Sequence, residues 1–246
     1  SRELTRDYLL YQEYKFSKLV GVYYDLERNL RRNDFYDKLT DVEIDTFYDT
    51  TRVNATETQD RNYFDAIKNE IGVKGNVSKA FYNIYYKHRT YKANYFYLDD
   101  FVSDVEQYGG FNLRYDFDST FNVGGSVEYM VEGAHKFNGY INHRFVNASY
   151  TDMEFRPSMK NRFFYGNHAY WSHDFTNTQA REIKANLNLR WKSQLIQPKI
   201  QLTNLNNLIY YDTLGMPKQS NKINKLAIGA DMHFIFFNKM HFKNEV

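Results

Sequence analysis

From Glu182 to Trp191 polar and apolar residues alternate without a break. Ile183, Ala185, Leu187, Leu189 and Trp191 fall on one side of an extended chain. Glu182, Lys184, Asn186, Asn188 and Arg190 fall on the other. A period of two predicts a strand with one oily and one wet surface. The pattern recurs. Phe121, Val123, Val127, Tyr129 and Val131 oppose Asn122, Ser126, Glu128 and Glu132, and Phe111, Leu113, Tyr115 and Phe117 oppose Asn112, Arg114 and Asp116. Ala80, Tyr82, Ile84 and Tyr86 oppose Asn83, Tyr85, Lys87 and Arg89. Segments of this kind, ending in aromatics and separated by turn residues, predict an all-β fold. Its form is an antiparallel up-and-down transmembrane β-barrel with lipid outside and water inside.

The alternation places strands at 14–26, 63–74, 79–93, 110–117, 121–132, 137–155, 161–174, 182–191, 198–211 and 224–237. A phase slip near Val146 reads as a bulge inside the sixth, and the segment from Met240 begins one more strand. That makes about ten strands in a single barrel unit over 1–246. Short turns near Asn76, Asp118, Ser158, Leu195 and Asn238 are expected on the periplasmic side. The polar stretches 28–61, 94–106 and 212–221 are expected outside, with 28–61 as one long external loop.

Composition changes the picture little. The mean hydropathy of −0.71 suggests a water-soluble protein, but a barrel wall shows lipid only every second residue, so its average stays polar. Aromatics make up 18% of the chain, with 23 Tyr and 20 Phe, as strands and membrane-interface girdles favour. Only 3 Pro interrupt ladder hydrogen bonding. A net charge of +2 with scattered Lys and Arg argues against nucleic acid as a partner. The absence of Cys excludes disulfide scaffolds and thiolate metal sites. No run of about 18 apolar residues forms a transmembrane helix. Ser1-Arg-Glu-Leu-Thr lacks the apolar core of an export signal, so an exported chain would have lost its leader or be part of a longer one.

Several stretches resemble one family. Phe47-Tyr-Asp-Thr-Thr followed by Lys68-Asn-Glu-Ile-Gly-Val-Lys-Gly75 is similar to a D-S-T … E-N-E-x-G-L-K-G stretch. Pro157-Ser158, Gly166-Asn-His-Ala-Tyr-Trp171 and Asp174-Phe175 are similar to P-S-F … N-H-Y-x-W-x-N-x-F. Leu208-Ile-Tyr-Tyr-Asp212 with Pro217 and Gln219, and then Met240-His-Phe-Lys-Asn-Glu-Val246, follow in the same order. Together they resemble the outer-membrane porin family of Bacteroidota-type bacteria. That resemblance implies a bacterial outer-membrane barrel of which this chain is a fragment.

Candidate chemistry is sparse. His135 with His143, and His168 with His173, are weighed as metal pairs, and Asp99, Asp100 and Asp104 as a Ca²⁺ loop. Solvated loop and lumen residues account for them better. Ser126, Glu128 and His135 form no defensible hydrolase set, and no Gly-x-Ser-x-Gly is present. No enzyme activity, metal or cofactor is expected. The three Asn-x-Ser/Thr sequons at Asn54, Asn76 and Asn147 read as accidental.

The polar strand faces carry the functional expectation. Lys87, Arg89, Arg114, Glu128, Glu132, Arg144, Glu182, Lys184 and Arg190 are expected to line the pore, and Ile183, Ala185, Leu187, Leu189 and Trp191 to face lipid. The expected function is a porin-like channel for passive diffusion of small hydrophilic solutes. The alternative is a non-conducting scaffold barrel in a multi-protein outer-membrane complex. Expected partners are outer-membrane lipid and other envelope proteins. A soluble β-rich binding protein would instead have to bury the apolar faces under a second sheet.

Overall fold

In the computed structural model, which describes residues 2–39, 48, 50–192, 194–236 and 240–245, the chain runs up and down through strand after strand. In order these are β1 (Arg2–Lys15), β2 (Gly21–Lys38), β3 (Glu57–Val77), β4 (Ala80–Tyr95), β5 (Phe101–Asp118), β6 (Phe121–Met130), β7 (His135–His143) and β8 (Val146–Phe155). A short excursion follows, with α1 (Met159–Arg162), β9 (Phe163–Tyr165) and β10 (Tyr170–Ser172). The wall resumes with β11 (Thr178–Leu187), β12 (Leu189–Trp191) and β13 (Gln194–Asn206). A small hairpin, β14 (Ile209–Tyr211) with β15 (Pro217–Gln219), precedes β16 (Lys222–Phe236) and β17 (Met240–Glu245). Twelve strands lie abreast in the order β1-β2-β3-β4-β5-β6-β7-β8-β11-β13-β16-β17, with β12 also paired to β13. All pairings are antiparallel, as an up-and-down meander requires.

The sheet is dressed inside out compared with a soluble protein. One face carries large apolar side chains left bare: Trp191 and Ile228 are each 74% exposed and Ile71 is 59% exposed. The buried residues Ala93, Tyr95 and Met130 belong to the opposite, polar face, and Trp171 is buried in the excursion. A bare apolar sheet of this size would aggregate in water and is stable in hydrocarbon.

Cross-strand rows show how the strands tilt. On β4 the apolar band centres on Ile84, whose row runs through Phe111, Val127 and Phe137 and then meets Asp152, Arg181 and Asn204. The row starting at Ala80, beside the β3–β4 turn, instead stays apolar through Tyr115, Val123, Ile141, Ala148, Ala185, Ile200 and Ile228. The band crosses the rows obliquely. That is the stagger of tilted strands in a barrel wall.

The meander agrees with expectation, but several elements differ. The predicted first strand straddles a turn at 16–20, where the Ser17 Oγ accepts from the Leu19 and Val20 amides (3.1 and 3.3 Å). Most of the 28–61 stretch is strand, because β2 runs to Lys38 and β3 starts at Glu57. Beyond the bilayer neither face need be apolar, so the alternation that marks a strand fades. The tip at 40–47 and 49 lies outside the described residues. The predicted 94–106 loop shrinks to 96–100, and Asp104 sits within β5. Segment 137–155 is two strands, and the phase slip at Val146 is the tight turn Arg144–Phe145, not a bulge. Segment 161–174 is no wall strand but the α1–β9–β10 excursion, so the connection at Ser158 shares the end that carries 39–56, 96–100 and 207–221. β13 stops at Asn206, next to Asn207 at φ 57. The turn near Leu195 lies earlier, after Trp191, and that near Asn238 falls outside the described residues. One end of the sheet therefore has tight turns and the other has the long connections.

Candidate functional site

The polar face is the candidate site, and glycines shape it. Glu13, Tyr23, Gly72, Tyr85, Gly110 and Glu128 stand in one row across six strands. A Cβ on Gly72 would lie 2.5 Å from the Tyr23 ring, and one on Gly110 would lie 2.0 Å from the Tyr85 ring. Each ring is thus laid flat over its neighbour strand's glycine, in the space a side chain would fill. Lying down, the phenols reach carboxylates: Tyr23 OH donates to Glu70 and Tyr85 OH to Glu128, both at 2.7 Å. Lys87 Nζ donates to Glu128 at 2.6 Å and sits 4.3 Å from the Tyr108 ring centroid. Glu106 accepts from Tyr91 (3.0 Å) and Tyr108 (2.7 Å) and faces Arg89 at 3.5 Å. Half-buried Glu106 and Glu128 stay tolerable because each has several donors.

The α1–β9–β10 excursion folds back onto this same face. Asp104 holds Arg156 at 2.9 Å and also binds Arg162. Tyr95 OH donates to the Phe163 carbonyl at 2.8 Å, and its ring meets Phe163 and Phe164 edge-on. Trp171 stacks on Phe164 and donates to the Lys160 carbonyl at 2.9 Å. At the tip, fully buried Asn167 is a latch. Its Oδ1 accepts from the Val53 and Asn54 amides, both at 3.0 Å, and its Nδ2 donates to Asn54 O (2.7 Å) and Thr58 Oγ1 (2.8 Å). Its own amide donates to Asp60 at 2.8 Å. His168 Nδ1 donates to the Thr50 carbonyl at 2.9 Å, which leaves Nε2 to accept from the Thr58 hydroxyl. A segment that leaves β8 and lands on β3, β4 and β5 spans a chord, so the sheet curls toward its polar face. Beneath it a cavity of about 800 Å³ is bounded by β1–β2 residues such as Glu3 and Arg31, by Arg89 and Glu106, and by Arg162 and Ile209.

The expected pore residues separate into two groups. Lys87, Arg89, Arg114, Glu128, Glu182, Lys184 and Arg190 share the polar face. Glu132 and Arg144 do not lie on strands. Glu132 occupies the β6–β7 turn, bound to Arg156 at 3.1 Å, and Arg144 the β7–β8 turn, 4.2 Å from the Phe145 ring centroid. Ile183, Ala185, Leu187, Leu189 and Trp191 all lie on the apolar face, although Asn188 interrupts the strand by donating its amide to Phe145 O in the turn that precedes β8. His135 and His143 share that face at opposite ends of β7, about 26 Å apart along the strand. Ser126 and Glu128 face the other way from His135. Asp104 is occupied by arginines, and among the described residues no group of three or more His, Asp or Glu could hold a metal. Sequence reasoning missed the latch, because its residues lie in the β9–β10 turn and in the 50–60 segment that leads into β3, more than 100 positions apart in the chain. The signal for the flat tyrosines was present in Gly72 and Gly110, glycines inside strands where close approach is the usual reason.

A wall that is apolar outside, ionic inside and turned tightly at one end defines an outer-membrane β-barrel. The chain belongs to the family described as "Putative porin", whose profile matches residues 1–246. No curated protein matches the sequence. The crystal structure of the siderophore receptor PirA from Acinetobacter baumannii is similar in fold, with a TM-score of 0.62 at 7% identity, over 99% of this chain and 44% of that one. BauA, the ferric preacinetobactin receptor of the same organism, overlaps at a TM-score of 0.44 and 10% identity, over 99% of this chain and 44% of that one. The chain thus spans less than half the length of these receptors. Its location is the outer membrane.

Proposed function

We propose that the barrel to which this chain belongs conducts small hydrophilic solutes by passive diffusion, with the apolar face in lipid and the polar face lining the lumen. The long connections, including the excursion, face the outside and the tight turns face the periplasm. One observation carries the reading. A row such as Lys74–Asn83–Asn112–Ser126–Asn138–Thr151–Glu182–Thr203–Lys225 keeps the inner wall hydrophilic from strand to strand. Inner charges of both signs are paired with one another, which supports weak discrimination between anions and cations. The test is conductance of the full-length protein in planar bilayers under a salt gradient. Steady conductance with a reversal potential near zero is expected, whereas a strongly cation- or anion-selective pore would contradict the pairing argument.

The latched excursion favours a second reading, a blocked lumen in a barrel that scaffolds other envelope proteins. Silent bilayers together with stable co-purification of a large partner would establish it. Full conductance from the unmodified protein would exclude it. Neither reading assigns the chain an enzymatic role.

A further inference from the structure

Most cationic residues of the apolar face are concentrated in one place. Above the apolar band, on the loop-end side of β1 to β5, four successive rows run Tyr8–Arg28–Ile67–Thr90–Val105, Arg6–Leu30–Asp65–Lys92–Ser103, Leu4–Arg32–Tyr63–Asn94–Phe101 and Arg2–Asp34–Arg61. Arg2, Arg6, Arg28, Arg32, Arg61 and Lys92 share these rows with two carboxylates only, Asp34 and Asp65. Both carboxylates are already taken. Asp65 holds Arg28 through two hydrogen bonds of 3.1 and 2.8 Å. Asp34 holds Arg32 at 2.7 Å and Arg61 at 3.1 Å. Arg2, Arg6 and Lys92 have no carboxylate partner among the described residues. Lys92 lies 5.1 Å from the Phe101 ring centroid and Arg32 5.5 Å from that of Tyr63, so aromatic rings are interleaved with the cations.

A merely solvated rim would be charge-balanced, as the chain is overall with 32 basic and 30 acidic residues. At the loop end of β8 and β11 the same face carries Asp152 and Glu154 against Arg181, so excess positive charge is not a general property of the rim. The position matters as much as the sign. Arg28 is the next outward residue after Leu26 on β2, and rows are spaced about 6.7 Å along a strand. On β2 the Arg28 row therefore borders the hydrocarbon band, with Arg6 and Lys92 one row further out and the remaining cations two and three rows out, mixed with Tyr and Phe on the headgroup side.

We propose that this face of β1–β4 binds the phosphorylated headgroups of outer-leaflet lipid, with Arg6 and Lys92 supplying the free cationic valences and the paired arginines a preorganised flank. The proposal rests on the reading that the apolar face lies in lipid. Its test uses the full-length protein in phosphatidylcholine nanodiscs doped with bis-phosphorylated lipid A, with retained lipid counted by native mass spectrometry after a detergent wash. Wild type should retain lipid A and should not retain the dephosphorylated form. Arg6→Glu combined with Lys92→Glu should lower retention about tenfold or more. Lys18→Glu combined with Lys192→Glu, an equal charge change at the turn end, should leave retention unchanged. Equal retention by all variants, or none by wild type, overturns the proposal. Binding of an acidic polypeptide at these arginines in place of lipid A also overturns it and gives the patch to a protein partner. A bimane label at Ile84→Cys, quenched by brominated acyl chains, checks the underlying orientation separately. Quenching without charge-dependent retention defeats the headgroup site alone, and no quenching defeats both.

Discussion

At the scale of residues, single substitutions on the two faces should have opposite consequences. Leu187 projects from the apolar face beside Val146, and Leu187→Arg should cost about 2–4 kcal/mol if the side chain meets the bilayer midplane. Asn186→Arg, one residue away and facing the other side, should cost far less. Equal costs for folding into lipid vesicles would disprove the two-sided wall. The flat tyrosines give a sharper case. Gly110→Ala places a methyl where the Tyr85 ring lies, so the ring must lift and its bond to Glu128 breaks, at about 1–3 kcal/mol. In a Tyr85→Ala background the same change should be nearly neutral. A double-mutant cycle measures that coupling, and additive costs would show that ring and glycine are independent.

At the scale of elements, the β14–β15 hairpin should respond to pH. Lys218, at 2.9 Å, holds the Asp212 carboxyl below its ordinary range, helped by the Met216 and Leu214 amides, and Asp212 raises Lys218 in turn. A depressed carboxylate stabilises above its unfolded pKa and loses that contribution as pH falls through the folded value. A raised lysine stabilises below its unfolded pKa and loses its contribution as pH climbs through the folded one. The hairpin should be tightest between about pH 4 and pH 10. Amide exchange at Leu214 and Met216, corrected for intrinsic rates, should accelerate below that window, and constant protection at low pH would refute the pair's role. The latch should yield to Asn167→Ala, seen as new protease cleavage within 156–177 and as higher conductance. Much of this architecture is legible from alternation alone, because strands inside the bilayer must have an oily face. Where that requirement lapses the reading fails, as in the outer halves of β2 and β3 and in β1, whose pattern is mixed. Two of the errors cancel. The hidden turn at Arg144–Phe145 removes one strand crossing and the spurious strand at 161–174 adds one, so later connections are assigned to the correct end. The latch was illegible because its donors and acceptors are single polar residues with no periodicity.

At the scale of the molecule, β1 and β17 each pair on one side only among the described residues. An unpaired row of backbone groups costs several kcal/mol per group in hydrocarbon, so residues 1–246 expressed alone should give no heat-modifiable, protease-resistant barrel in detergent. A compact conducting species from this segment would defeat that expectation. The pairing pattern also sets an order of events. Each wall strand finds its partner in the neighbouring wall strand, so hairpins can zip up one after another with little loop-closure entropy to overcome. The Asn167 latch is different, joining residues 107 to 114 positions apart. It cannot form until the wall from β3 to β8 has been laid down and curled. The cover over the polar face therefore stays open while β3 to β8 are laid down, and its closing waits on the curl of that part of the wall.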